Sequence, residues 1–267
     1  MAEAQHFETV ELDWVTPEIA RMTLNRPDAG NSLSSTLVRD IIAAASVVRY
    51  DKETKVLLVT GGGRFFCAGA DLKENPRPAS WIWELRRSLD FLEDLPQPVV
   101  AVINGSCMGG GTELALACDF RIIGSAVSMG LPEIQFGALP AAGGPQRLLR
   151  LIGPAKAKRL IMTGEHITAA TALELGLVDE VAEGDLMAAG IAFAEKLALR
   201  AGYGLKVTKL VINQGQDMGL REALAMEYRI IDNMASPEER AAEQQKAAAR
   251  RSTYAKIFKV PGSSSPV

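Results

Sequence analysis

Two carboxylic acids lie in segments otherwise almost free of charge. Glu113 closes the run Gly109-Gly110-Gly111-Thr112-Glu113, and Glu133 follows Leu131-Pro132. A carboxylate removed from water is costly unless it is paired or protonated, so acids set among Ala, Leu, Ile and Gly suit proton transfer with shifted pKa values. Two small-residue loops accompany them, Phe65-Phe66-Cys67-Ala68-Gly69-Ala70-Asp71-Leu72-Lys73 and Gly105-Ser106-Cys107-Met108-Gly109-Gly110-Gly111. Each follows a buried-strand pattern, and the second leads straight into a helix pattern, where unpaired N–H groups and the positive end of the dipole await an anion. Two such N–H groups converging on one oxygen form an oxyanion hole, worth roughly 3 kcal/mol of transition-state stabilisation per donor. The plainer reading of the loops is tight turns with glycine at positive φ, and of the acids a helix start and a surface turn.

Other chemistries lack their parts. Thr112-Glu113 follows Gly111 where a phosphate-cradling loop needs Lys-Ser/Thr, and Gly61-Gly62-Gly63-Arg64-Phe65 does not make Gly-x-Gly-x-x-Gly. The only histidines, His6 and His166, read as surface residues, and no Gly-x-Ser-x-Gly elbow accompanies them. A hydrolytic triad is therefore poorly supported, and no metal site is expected. Cys67, Cys107 and Cys118 have no metal-type spacing and read as buried thiols of a reducing compartment.

The elements that must position these residues alternate. Two short strands, 8 to 14 and 18 to 25, are split by a turn at Thr16-Pro17. Ser34 caps a helix predicted from Ser35 to about Tyr50. Val56-Leu57-Leu58-Val59-Thr60 and Pro98 to Ile103 read as strands buried on both faces, and a helix pattern from Glu113 to Cys118 precedes a third such strand at Phe120 to Ile123. Strands separated by helices predict an α/β fold with a mostly parallel sheet and ligand sites at the carboxyl ends of its strands. Beyond about residue 145 helical patterns take over, at 154 to 162, 168 to 175, 184 to 200, 204 to 214, 219 to 232 and 236 to 250.

With 267 residues, 48% of them hydrophobic, the chain can fill one large core. Lys plus Arg number 29 against 32 Asp plus Glu, so the net charge of -3 offers no footprint for nucleic acid or an anionic membrane. The polar opening Met1 to His6 has no hydrophobic run behind it, and no segment nears the length of a membrane span. The expectation is a cytoplasmic protein.

Asn25-Arg26-Pro27 with Asn31, Phe66 to Asp71, Pro98 to Gly105 with Gly109 to Ala115, Cys118-Asp119, Pro132-Glu133, Gly137 to Pro140 with Gly143-Gly144 and Gln146-Arg147-Leu148, and Leu175 to Val178 together resemble the enoyl-CoA hydratase/isomerase (crotonase) superfamily. The motifs come in the family's order over nearly the whole chain. The resemblance implies a crotonase-like ββα spiral core over 1–195 and a helical C-terminal trimerisation region over 196–267, giving a homotrimer or a homohexamer. It implies an acyl-CoA thioester substrate, coenzyme A being part of that substrate, and no separate cofactor. Its oxyanion donors fall on Ala70 and Gly110. Its two acids fall on Glu113, which helps activate a water for attack on the β carbon, and Glu133, which gives the α carbon its proton. Ala68, Ala70, Asp71, Leu72, Lys73 and Gly110 fall along the acyl-CoA. Tyr254, Phe258 and Lys259 fall where relatives bring an aromatic and a basic residue to CoA.

The reading is an enoyl-CoA hydratase, a lyase adding water syn across a 2-enoyl-CoA. The alternatives are another superfamily reaction (double-bond isomerisation, a specialised dehydration, C–C hydrolysis) and, in a different class, a non-catalytic or RNA-binding relative. One loop departs from the family pattern. Pro140-Ala141-Ala142-Gly143-Gly144-Pro145 carries Ala141 in place of a glycine near the reacting water, and Pro145, which removes a backbone donor. Trp81 and Trp83 fall in the segment, Asn75 to Asp90, that lines the acyl pocket of relatives; ordinary helix packing is the alternative for both.

Overall fold

The computed structural model describes residues 3–74, 78–200 and 202–233, with 241 and 245. It divides into two compact units, 1–195 and 196–267. The first opens with strands β1 (Gln5–His6), β2 (Val10–Thr16) and β3 (Ile19–Leu24), then helix α1 (Ser35–Tyr50), whose start is fixed by the Ser34 hydroxyl accepting from the Leu37 N–H at 3.2 Å. Its apolar stripe, Leu37, Val38, Ile41, Ala44, Ala45 and Val48, is buried.

From there the chain repeats one manoeuvre. A buried or largely buried strand is followed, after a short turn, by a strand of three residues, and then by helix. β4 (Val56–Gly61) leads to β5 (Phe65–Cys67) and α2 (Trp81–Glu93); β6 (Val99–Ile103) leads to β7 (Ser106–Met108) and α3 (Gly110–Leu116); β8 (Phe120–Gly124) leads to β9 (Ser128–Gly130). The third turn continues through a 3-10 turn at Pro132–Phe136 into α4 (Gly144–Ile152), α5 (Pro154–Thr163), β10 (His166–Thr168), α6 (Ala169–Leu175) and β11 (Glu180–Ala182). The long strands form a sheet in the order β1-β2-β3-β4-β6-β8-β11, antiparallel through β3 and parallel from β3 to β11. The short ones form a second sheet, β10-β9-β7-β5, in which β5, β7 and β9 run parallel.

This second sheet corrects the sequence reading. Phe65 to Cys67 and Ser106 to Met108 were expected to be loop directly after a buried strand, yet both are strands, and the Gly61 and Gly105 turns lie before them. Three residues are too few to show an alternating pattern. β10 and β11, also three residues each, fall in the gaps between the expected helices 154 to 162, 168 to 175 and 184 to 200, sharing only Thr168 with them, and no strand was expected there, for the same reason.

Helix α7 (Leu186–Ala198) follows β11, and α8 (Gly202–Gly215) and α9 (Leu220–Asn233) belong to the second unit. The helix expected at 236 to 250 lies outside the described residues except for 241 and 245.

Candidate functional site

Because β5, β7 and β9 are adjacent and parallel, the three segments leaving their carboxyl ends meet. They carry Ala70, Gly110 and Glu133. Parallel strand ends are where open α/β sheets bind ligands.

The first segment is held on Leu33. The Leu33 N–H donates to Gly69 O at 2.8 Å, and the Asp71 N–H donates to Leu33 O at 3.2 Å. A bridge of this kind turns the N–H of the intervening residue, Ala70, to the opposite side. There it faces the start of α3, since a methyl placed on Gly110 would lie 3.7 Å from the Ala70 nitrogen. Gly110 is the first residue of α3 and its N–H has no intrahelical acceptor. Among the described residues neither N–H donates to a protein group. Gly69 permits the approach: its φ is +98°, and a Cβ would stand 2.9 Å from Met108 O.

Glu113, one turn into α3, is 2% exposed. Its Oε1 accepts from the N–H groups of Ala142 (2.8 Å) and Gly144 (2.7 Å), so the loop that leads into α4 clamps one carboxylate oxygen. Glu133 enters from the 3-10 turn, and its Oε1 packs against Gly109, where a Cβ would approach to 2.9 Å. Its Oε2 is buried with no hydrogen-bond partner. A buried, unpartnered oxygen is a place for a polar ligand or a water.

The electrostatics follow from burial. Desolvation pushes Glu113 up to about 7, against the two clamping N–H groups, which favour the charged form, and with help from the charge of Glu133. Burial likewise raises Glu133. In contrast, burial pushes Cys67 up to about 12 and Cys107 higher still, which keeps both thiols protonated and removes them as nucleophiles.

The altered loop keeps what the site uses. Pro145 stands in the first turn of α4, where an N–H would have no intrahelical acceptor, and the donors to Glu113 are Ala142 and Gly144. The donor expected to be lost at Pro145 is therefore not one that the Glu113 clamp requires. Ala141 is exposed.

Of the other sequence-derived positions, Ala68, Leu72 and Lys73 are exposed beside Ala70. Asp71 is buried and turned inward to Arg26 (2.8 Å), with a second oxygen accepting from the Lys73 N–H at 3.0 Å, so it shapes the loop from within. Trp81 is buried and Trp83 is 65% exposed. Tyr254, Phe258 and Lys259 lie outside the described residues. His6 and His166 are exposed, and no three metal-ligating side chains gather among the described residues.

Three residues went without a role in the sequence reading. Asn31, at φ +53°, ties its own loop to the next by accepting from the Arg26 N–H and donating to the Gly62 and Phe65 carbonyls. Arg26 bonds Ser32 O besides Asp71. Arg147 donates to Ala142 O at 2.9 Å. All three sit within quoted motifs, but their partners are distant in sequence.

The pH dependence of stability reads out the Glu113 environment without any substrate. A folded-state pKa above the unfolded value of 4.5 means that the native state holds the proton longer, so this contribution is fully present below about 4.5 and is lost as pH rises to about 7. It amounts to on the order of 3 kcal/mol. Melting temperatures of wild type and Glu113→Gln across pH 4–9 should therefore diverge, the variant gaining on wild type as pH rises, because an amide has no charge to desolvate. Parallel curves would show that burial does not perturb this acid.

A family model for enoyl-CoA hydratase/isomerase matches residues 16–253. YngF of Bacillus subtilis (strain 168) is 41% identical over 221 residues, 80% of this chain and 85% of that protein. The 2,3-dehydroadipyl-CoA hydratase of Escherichia coli (strain K12) is 35% identical over 231 residues, 82% of this chain and 88% of that one. The crystal structure of an enoyl-CoA hydratase from Bacillus anthracis superposes with a TM-score of 0.85 at 37% identity, covering 91% of this chain and 97% of that one. The chain belongs to the enoyl-CoA hydratase/isomerase family, the crotonase superfamily.

Proposed function

We propose that the protein is an enoyl-CoA hydratase, adding water syn across the 2,3 double bond of a 2-enoyl-CoA and, in reverse, dehydrating a 3-hydroxyacyl-CoA. The observation that carries the reading is the meeting of a buried acid, Glu113, and a half-buried one, Glu133, both of raised pKa, with two undirected N–H groups at the ends of three neighbouring strands. The Ala70 and Gly110 N–H groups receive the thioester oxygen and hold it as it becomes an enolate. With its Oε1 clamped, Glu113 keeps Oε2 for the water. The pair shares one proton, and in the form that reacts it sits on Glu133: the water oxygen bonds to C3, the water proton passes to Glu113, and Glu133 gives its proton to C2 as the enolate collapses. One water is consumed, and transfer of a proton from Glu113 to Glu133 through solvent resets the pair. A base with a pKa near the working pH is well matched to this task.

Ala68, Leu72 and Lys73 lie along the CoA in this reading, and no cofactor beyond the CoA of the substrate takes part. The protein is cytoplasmic and assembles as a homotrimer or as two such trimers through the C-terminal unit. Leu220, Leu224, Tyr228 and Ile231 of α9 are exposed in the single chain and supply apolar surface for such a contact. Incubation with crotonyl-CoA should remove the absorbance of the conjugated thioester, and its persistence at high enzyme concentration would reject hydratase activity on this substrate class.

A further inference from the structure

Arg147 is held from both sides. Its Nη1 donates to Ala142 O (2.9 Å), while its Nη2 donates to Asp90 Oδ1 (2.8 Å) and Glu93 Oε2 (2.7 Å) and its Nε to Glu93 Oε2 (3.1 Å), both carboxylates lying on α2. Gly143, at φ +103°, leaves the room that Nη1 occupies; a side chain there would collide with it. Ala142 is thus bonded on two faces. Its N–H donates to Glu113 and its carbonyl accepts from Arg147, so the two peptide groups that flank its Cα are each held by a hydrogen bond.

We propose that Arg147 is a positioning residue for Glu113, clamping the Ala142–Gly144 loop from outside and tying it to the acidic face of α2. The inference rests on the hydratase reading of Glu113. The Arg147 guanidinium never meets the reacting atoms; it fixes the peptide that lies between the two N–H groups that hold Glu113. Charge supports the geometry. The groups acting on Glu113 are Glu133, which raises its pKa, and Arg147, which lowers it, beside the Ala142 and Gly144 N–H donors. Arg147 in turn faces Asp90 and Glu93, and Arg86 lies 3.8 Å from Asp90 on the solvent side. Burial would lower the Arg147 pKa, but the Glu93 and Asp90 carboxylates outweigh it and keep the guanidinium charged.

Two variants test this, Arg147→Met and Arg147→Lys, each measured for kcat and KM on crotonyl-CoA. The substrate-free titration midpoint of Glu113 is taken for each from the difference in melting temperature against its own Glu113→Gln derivative across pH 4–9. Arg147→Met is expected to lose about 10²-fold in kcat, the scale of a misplaced catalytic group, with KM within about threefold, and to raise the midpoint above that of the parent. Arg147→Lys keeps the charge near Asp90 and Glu93 but not the fork, so its midpoint should stay at the parent value while kcat falls about tenfold, a partial rescue. The proposal is overturned if Arg147→Lys matches wild type in kcat, or if Arg147→Met folds and leaves the Glu113 midpoint unmoved. Should Arg147→Met fail to fold, Arg147→Lys decides alone. If the parent itself does not turn over crotonyl-CoA, the midpoints still decide the positioning role, and the hydratase reading fails separately.

Discussion

Glu113→Gln should lower kcat on a 2-enoyl-CoA by about 10³-fold, within the 10² to 10⁴ range typical of losing a positioned acid or base, while leaving the protein at least as stable as wild type at neutral pH. The amide oxygen of glutamine can still accept from the Ala142 and Gly144 N–H groups, so the loop keeps its anchor. What disappears is a group able to take a proton from water and the cost of holding a charge at a site 2% exposed. Activity and stability should thus move in opposite directions, an outcome that a misfolded variant cannot imitate. Glu133→Gln is expected to cost a similar factor in kcat, since its unpartnered Oε2 has no structural bond to lose. Steady-state kinetics with thermal melts on the same preparations check both, and a variant within about tenfold of wild type would remove that acid from the proton transfer.

Removing one oxyanion donor should be nearly as damaging. Gly110→Pro deletes a single N–H at the first position of α3, where proline is accepted by the helix. The new ring also presses on Leu33 Cδ1, which a Cβ at this position would meet at 2.9 Å, so some loss of stability accompanies it. The expected loss is about 10² to 10³-fold in kcat, the usual consequence of deleting such a donor. Circular dichroism verifies that the helix content is kept. A folded Gly110→Pro with wild-type kcat would show that this N–H does not face the substrate oxygen.

These expectations depend on features of unequal visibility in the sequence. The Ser34 cap and the 3.6-residue pattern marked α1 at both ends, and the unbroken apolar runs marked β4 and β6, because local chemistry decides those elements. The pair of acids was visible as charge where charge is unexpected. Hidden were β5, β7 and β9, three residues each, whose pairing brings the segments of Ala70, Gly110 and Glu133 together. Hidden too was the clamp on Glu113, because its donors are backbone groups of Ala142 and Gly144 and leave no mark in residue type. The change at Pro145 looked disruptive by composition, yet it falls at a helix position that spends no donor. Arg147 shows the same limit from the other side: its type was plain, but its meaning depends on Asp90 and Glu93, more than fifty positions away.

The central claim is that the site adds water, and oxygen isotope transfer measures it. Crotonyl-CoA turned over in water enriched in oxygen-18 and deuterium should yield 3-hydroxybutyryl-CoA carrying one labelled oxygen at C3 and one deuterium at C2 by mass spectrometry. Consumption of an enoyl-CoA with deuterium exchange but no labelled oxygen in any product would contradict the account and assign the same two acids to moving a double bond.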